Sequence, residues 1–514
     1  MFNDQYLPLI HKPFKRVLIA NRGEIGVRII RACRDLGLSP LAVYSSADLH
    51  SRHVALADSA CWIGNAPSNE SYLNIQNILN AAKELEAEAV HPGFGFLSES
   101  AEFANEVLKA GLVWIGPSPA SIHAMGDKTL AKRKVTEAGV PCSPGKNEPL
   151  KDLKDLQDTA HQVGYPLILK AAAGGGGKGM RVVRKDEELA QAFEACQREA
   201  LSYFGNADVF CERYIEHPRH VEFQVLADSH GNIVHLFERD CTIQRRHQKL
   251  IEEAPSSYIS AETRHKMGEI AVRAAQSVGY VNAGTIEFIL ESPTKFYFME
   301  MNTRIQVEHP VTEIVTGVDL LQMQVKIAMG EKLPFAQKDL CMRGWAIEAR
   351  INSEDPFNNF RPDPGCIKEL EFPTGPGVRV DSHIYAGYKI PEFYDSMIAK
   401  LIVYGTNRND ALNKMARALS EFQIEGIQTT IPFHQALIEY PSFREGNYTT
   451  RFIEENDKLI ENSEHIHAIL TKEEAAVVAI KVTDQKAKLE AKVNVLPEVP
   501  SAWANAFRLE STRR

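Results

Sequence analysis

Between Thr285 and Pro310 the chain reads TIEFILESPTKFYFMEMNTRIQVEHP, a stretch whose polar residues differ in chemistry but keep a regular spacing. Two short apolar runs each carry one carboxylate, Glu287 in TIEFIL and Glu300 in FYFMEMN. From the second onward, Glu300, Asn302, Arg304, Gln306 and Glu308 fall at alternate positions. Side chains alternate between two faces of an extended chain, so the spacing predicts that set on one face and Met301, Ile305 and Val307 on the other. Two carboxylates and an amide oxygen suit a hard cation such as Mg²⁺, which takes oxygen ligands and commonly also holds phosphate. Arg304 and Glu308 just beyond them suit an anionic substrate and a base. A structural ion-pair network at a sheet end accounts for the same pattern equally well.

A second stretch speaks for phosphate. Lys170 ends the apolar run YPLILK, and AAAGGGGKGM follows at once, with Lys178 inside it. Successive glycines let backbone N–H groups crowd around phosphate oxygens, and the flanking lysines neutralise charge. The pattern is not GxxxxGK[ST], so it is no Walker loop. A flexible linker is the bland alternative, but the strand-like runs on both sides favour a mobile phosphate flap that opens for release. Residues 238–255, ERDCTIQRRHQKLIEEAP, gather Gln244, Arg245, Arg246, His247 and Lys249. That group suits phosphate, sugar hydroxyls or a small anion, while a solvated loop partly neutralised by Glu238, Asp240, Glu252 and Glu253 fits as well. HPGFGFLSES (91–100) reads as a turn with Ser98 capping a helix. Arg350 closes the apolar strand of WAIEARINSEDP, where a lone Arg is often ion-paired.

These segments need elements to hold them. RVLIA (16–20) runs into NRGEIGVRIIRACRDLG, where Ile25, Ile29, Ile30 and Cys33 recur at helical spacing before Gly37. Leu41–Tyr44 and Ala89–His91 read as further strands, so residues 15–125 predict a parallel, doubly wound sheet. Residues 127–140 look helical, strands dominate 216–325, and another strand-rich unit starts after Pro334, with a helix over 409–421. A chain of 514 residues is too long for one ordinary core, and 44% apolar with 24% charged residues is a soluble globular composition. A net charge of −9 argues against broad nucleic-acid or anionic-membrane binding, and no apolar run is long enough to span a bilayer. The N-terminus lacks the pattern of a secretory signal, and the eight scattered cysteines, with no CxxC, read as reduced thiols of a cytoplasmic protein. Twelve of the 17 histidines lie outside these motifs and show no metal-site spacing, so no transition metal is expected.

The runs IANRGEIGVRIIRACR, HPGFGFLSES, MGDK, KAAAGGGGKGM, RHVEFQVL, RDCTIQRRHQK, EMNTRIQVEHPVTE and SHIYAGY…YDSMIAKL, in this order, resemble biotin carboxylase over roughly residues 14–455. The resemblance implies an α/β and α+β architecture. An N-terminal Rossmann-like domain would cover 14–126, and an ATP-grasp domain 127–330 with its glycine-rich lid subdomain at 142–215. A C-terminal mixed α+β domain would cover 340–458, leaving a helix-prone tail at 463–514. It implies carboxylation of biotin by bicarbonate through carboxyphosphate, with two Mg²⁺ or Mn²⁺ ions accompanying ATP. Carried over by position, Lys128 and Lys170 would contact ATP phosphates beneath Gly176 and Gly177. Glu212 and Ile215 match the adenine strand, and His220, Gln244 and His247 match further nucleotide contacts. Glu287 and Glu300 would hold metal with Asn302 beside them; Lys249, Arg304, Gln306 and Val307 would bind bicarbonate; Glu308 would deprotonate it. Arg350 would stabilise the biotin enolate. Two departures are mild: Ala173 stands where some relatives have glycine, and Arg213 where some have lysine.

The sequence contains no AMKM biotin-acceptor site. The expectation is therefore a carboxylase component that works on a separate biotin carboxyl carrier protein, with a carboxyltransferase completing the system; the resemblance also implies a homodimer, and the charge and hydropathy point to neither nucleic acid nor membrane as partner. TTRFIEEN (449–456) and the charged tail, read as a docking element, lean toward a component of a pyruvate or acyl-CoA carboxylase over the simplest acetyl-CoA type. The nearest rival is another ATP-grasp ligase, which would share the glycine flap but not RIQVEHP with SHIYAGY. A non-catalytic ATP-binding regulator would be expected to lack Glu308, Arg304 or a metal carboxylate, and all are present.

Overall fold

In the first strand, β1 (Arg16–Ile19), neighbouring residues serve different cores. Val17 and Ile19 pack under helix α1 (Gly23–Asp35), while Leu18 packs on the opposite face with Ile78 and Phe103. Burial of a strand on both faces suits parallel neighbours and covering helices. The computed structural model, which describes residues 6–146, 148–171, 179–456 and 459, supplies both. The strands β2 (Ser39–Tyr44), β3 (Ser59–Trp62), β4 (Ala89–His91) and β5 (Val113–Trp114) join β1 in a parallel sheet of order β3-β2-β1-β4-β5. The order reverses between β1 and β4, and ligands of open α/β sheets bind outside such a switch point. Two loops leave that edge, Asn21–Gly23 after β1 and Pro92–Phe96 after β4. Asn21 Nδ2 clasps them together, donating to the carbonyls of Pro92 and Phe94 at 2.7 Å each. Gly93 has φ +64°, and a Cβ there would stand 2.9 Å from Asn21 Nδ2. The helix after this loop begins at Ala101 and is capped by Ser100, whose hydroxyl accepts from Phe103 N, not by Ser98. Ser98 is instead buried at the loop's end.

A small antiparallel sheet, β6 (Leu167–Ala171) between β7 (Met180–Val183) and β8 (Val209–Arg213), packs Leu167, Leu169, Val209 and Cys211 against Leu156, Phe193 and Cys196 of two helices. The glycine run between β6 and β7, with Gly176 and Gly177, lies outside the described residues, as does the tail from 463.

Apart from two short two-stranded pairs, the remaining described strands form one eight-stranded antiparallel sheet. It runs β13 (Lys295–Asn302), β12 (Asn282–Ser292), β9 (Arg219–Ala227), β10 (Ile233–Arg245), β11 (Gln248–Ala254) and β14 (Trp345–Asn352). The strands Met397–Gly405 and Val378–Ser382 close it. Strands on both sides of Pro334 thus share one ladder, with Glu252 directly opposite Glu348. All nine residues of β9 are buried. Val221, Phe223 and Val225 face an apolar core with Phe288, Phe298 and the helix Ala261–Gln276. Its alternate residues His220, Glu222 and Gln224 face the other way, toward polar partners. Among the described residues no helix is long and apolar enough to cross a membrane.

Candidate active site

Glu222, Glu287 and Glu300 stand directly opposite one another on β9, β12 and β13. Like charges in such a row repel, so the arrangement requires cations. Lys249 of β11 supplies one. Its ammonium donates to Glu222 Oε2 at 2.5 Å, Glu287 Oε1 at 3.0 Å and Glu308 Oε1 at 2.6 Å. Arg239, fully buried, donates through Nε to Glu222 Oε1 at 2.6 Å and through its other nitrogens to Gln224, Thr285 and Thr312. His220 Nε2 lies 3.0 Å from Glu287 Oε2. Burial alone would raise the Glu287 carboxyl, but Lys249 and His220 outweigh it and hold the group well below its usual range. Glu300 goes the other way, pushed up by burial and then by the Glu287 charge.

The expected extended run from Glu300 to Glu308 stops short. β13 ends at Asn302, and Thr303–Glu308 turn into the helix His309–Thr316, whose first turn holds Pro310. Proline at a helix start is favoured because its missing N–H needs no partner there. The polar set still converges. Asn302 Nδ2 and Gln306 Nε2 donate to Glu287 Oε1 at 2.7 and 3.0 Å. Arg304 donates to Gln306 Oε1 at 2.8 Å, Asn302 Oδ1 at 3.2 Å and Glu99 Oε2 at 2.9 Å. Val307, expected on the far face, lines the same cavity as Gln306.

Glu308 is fully buried at the helix N-cap position, yet its side chain caps nothing. Its second oxygen accepts from Arg350 at 2.9 Å, and Arg350 Nε donates to Glu252 Oε1 at 2.6 Å. Burial would raise Glu308, but Lys249, Arg350 and Arg239 together hold it well below the carboxylate range. Glu238, Asp240, Glu252 and Glu253 do not neutralise Arg245 and Arg246. Those acids are buried and pair with Arg264, Arg219, Arg350 and Arg408 respectively. The tight turn Arg246–His247 has φ of +49° and +66° and presents His247 to the cavity. At the other end Glu212 of β8 accepts from Lys170 at 2.9 Å and from Lys132. Those lysines outweigh its burial and lower it to about 2.

A cavity of about 980 Å³ joins these parts. It is lined by Lys128, Lys170, Glu212, Ile215, His220, Gln244, His247, Lys249, Glu287, Glu300, Asn302, Arg304, Gln306, Val307 and Arg350, with Arg22 and Phe94 from the parallel sheet's switch point. Glu308 alone of the described candidates lies behind the wall, covered by Lys249 and Arg350. Glu222, Arg239, Glu252, Glu99 and Lys132 complete the charge network, and no sequence motif singled them out as site residues. The polar alternation within RHVEFQVL was a usable signal for Glu222. The residues fit a hard divalent cation: Glu300, raised by burial and then by its carboxylate neighbour, gains from a positive charge between the pair, and all donors are oxygens. His220, Glu222 and Glu287 also group within metal-ligand distance. Lys249 and Arg239 already neutralise that set.

Comparison with known proteins gives the same class. Residues 127–336 match the carbamoyl-phosphate synthase L chain ATP-binding domain, residues 13–122 the biotin carboxylase N-terminal domain, and residues 348–455 the biotin carboxylase C-terminal domain. The biotin carboxylase of Nostoc sp. is 54% identical over 445 residues, covering 87% of this chain and 100% of the relative. One of the pyruvate carboxylase subunits of Methanothermobacter thermautotrophicus is 52% identical over 442 residues, 86% of this chain and 90% of the relative. The biotin carboxylase domain dimer of Hydrogenobacter thermophilus 2-oxoglutarate carboxylase, solved with MgADP, ADP and bicarbonate, superposes with a TM-score of 0.84 at 47% identity, covering 88% and 99% of the two chains. The chain belongs to the biotin carboxylase family, ATP-dependent ligases that carboxylate biotin.

Glu348 is fully buried opposite Glu252, and neither of its oxygens has a hydrogen-bond partner. Burial first, then Glu252 among its neighbours, raises it well above the usual value, so the folded state keeps a proton that the unfolded chain releases above about pH 4.3. A group that binds more protons when folded loses stability as pH rises. Glu348→Gln, whose amide resembles the protonated acid, should raise the thermal midpoint over wild type more at pH 8.5 than at pH 5.5. A pH-independent difference in midpoint would show that Glu348 is ionised throughout.

Proposed function

We propose that this cavity carries out biotin carboxylation with the described residues in the roles their positions suggest, as the biotin carboxylase subunit of a multi-subunit carboxylase. The observation that carries the reading is the unbroken chain Glu287–Lys249–Glu308–Arg350, which joins the carboxylate row to the cavity's far wall. Lys128, Lys170 and His220 bind the ATP phosphates, with Glu212, Ile215, Gln244 and His247 around the nucleotide. Mg²⁺ or Mn²⁺ at Glu287, Glu300 and Asn302 neutralises phosphate charge when bound. Phosphoryl transfer depends mainly on such positioning and neutralisation. Arg304, whose planar guanidinium is held in orientation by Glu99 and Gln306, offers bicarbonate paired hydrogen bonds that Lys could not reproduce.

Glu308 takes the bicarbonate proton. Its two cations keep it ionised but weakly basic. Bicarbonate arriving at Lys249 draws that ammonium from Glu308 and raises its proton affinity when it is needed. Attack on the γ-phosphorus expels ADP and forms carboxyphosphate, which breaks down to CO₂ and inorganic phosphate beside biotin, and that phosphate takes the N1′ proton as the enolate forms. Arg350, fixed by Glu252, faces the enolate charge that develops there, as a preorganised cation should.

The partners we infer are a separate biotin carrier protein, a carboxyltransferase and a second copy of this chain. The Methanothermobacter relative is one subunit of a pyruvate carboxylase, and the Hydrogenobacter domain was solved as a dimer. The boundaries 14–126, 127–330 and 340–458 remain our division of the chain, supported by the three family matches. Eight unpaired cysteines suit a reducing compartment, and we place the protein in the cytoplasm.

The purified chain should hydrolyse ATP only with bicarbonate and should convert free biotin to carboxybiotin; bicarbonate-independent turnover would move it to another ligase class. Glu308→Gln should cut the bicarbonate-dependent hydrolysis by about 10²–10⁴-fold, the usual worth of a general base. Retained activity would assign the proton to another group. Arg350→Ala should lower carboxybiotin formation by about 10²–10³-fold yet leave bicarbonate-dependent hydrolysis measurable, and equal loss of both would refute its separate role.

A further inference from the structure

Lysine is among the residues least often fully buried, and when it is, it needs partners. Lys400 is fully buried in the strand Met397–Gly405, directly opposite Arg350 on one side and Asp381 on the other. Its ammonium donates to the carbonyl of Val307 at 2.8 Å, in the turn that carries Gln306, Val307 and Glu308. Glu24 Oε1, in the first turn of α1, lies 3.2 Å away as an ion pair. The ring of Phe94, on the loop after β4, has its centroid 6.0 Å from the same nitrogen. Glu24, Phe94 and Val307 all line the cavity, and Lys400 does not. One amine behind the wall therefore meets three wall segments that come from different parts of the chain.

We propose that Lys400 is a positioning residue that fixes the bicarbonate-binding turn through the Val307 carbonyl and registers it against α1 and the Pro92–Phe96 loop. The assignment rests on the reading of Gln306, Val307 and Glu308 given above. A buried ion pair is seldom the most stable filling for a core, since apolar residues of equal volume often serve as well or better. A lysine kept there, with its best hydrogen bond to the backbone of a ligand-binding turn, is explained by geometry. Val307 sits between Gln306, which faces Arg304, and Glu308, which meets Lys249 and Arg350. Rotation of that peptide would misplace both neighbours at once. The nucleotide contacts on β6, β8 and the Arg246–His247 turn touch neither Lys400 nor Val307, so they should be spared.

Lys400→Met alone leaves Glu24 buried without a counter-charge, so the informative comparison is Lys400→Met/Glu24→Gln against Glu24→Gln. In bicarbonate-dependent ATP hydrolysis by the full chain, the double variant should raise the bicarbonate KM at least about tenfold over Glu24→Gln, as loss of a charge-assisted hydrogen bond implies. The ATP KM should stay within about twofold, a split that a general loss of packing would not produce. An unchanged bicarbonate KM, or both constants rising together, overturns the assignment. Wild-type hydrolysis that ignores bicarbonate overturns the proposed function itself, and this assignment with it.

Discussion

Lys249 offers three protons, and three carboxylates take them. The rest of the site is arranged around that fact. Three acids stand opposite one another across β9, β12 and β13, a register that would be strongly unfavourable without cations reaching into the row. Among the described residues Lys249 is the cation that pairs with the row and also with Glu308, so it couples the carboxylates suited to a metal to the carboxylate suited to a proton. Its own proton affinity follows: burial would lower it, but the three acids outweigh burial and raise it well above the usual value. The ammonium stays charged and helps hold Glu287 and Glu308 low, whereas burial and then the Glu308 charge raise Glu222.

A network of this kind is poor evidence of stability. Desolvating so many charges costs about as much as their attraction returns, whereas removing one member leaves a partner stranded at about 3–5 kcal/mol. What the network does supply is fixed orientation. Arg239 uses donors on all three of its nitrogens within the sheet, and Arg350 bridges Glu252 and Glu308. Neither guanidinium can swing without breaking charge-assisted bonds. The parallel sheet contributes to the same end. Its switch point opens on the cavity, and Glu99, at the end of the loop after β4, accepts from both Thr303 N and Arg304 Nε.

Much of this could be read from the chain, for physical reasons that also mark where reading stopped. The alternation from Glu300 to Glu308 picked out residues that do converge, although the geometry behind it was wrong beyond Asn302. The residues meet because a turn and a helix start fold the run back toward Glu287. Val307, assigned to the far face, therefore lines the cavity, and its carbonyl bonds Lys400. The parallel sheet was legible because each strand and helix of it is local. The eight-stranded sheet was not, since β9 pairs with β12 and β11 with β14 across long stretches of chain. Glu252 and Glu348 looked like ordinary charged residues for the same reason. Only the ladder sets them face to face, and only burial makes the pair hold a proton.

That pair bears on how Arg350 works. Arg350 shares a strand face with Glu348 and bonds Glu252, so its charge is set against two acids in addition to Glu308. If both were ionised beside Glu308, the guanidinium would be over-neutralised. Burial raises Glu348 and brings Glu252 up to about 7, which keeps negative charge around Arg350 below that limit near neutral pH. The two uncharged or half-charged acids therefore act in favour of the cation. Glu252 holds it in place through its hydrogen bond, and most of its charge is left for Glu308 and for whatever forms in the cavity.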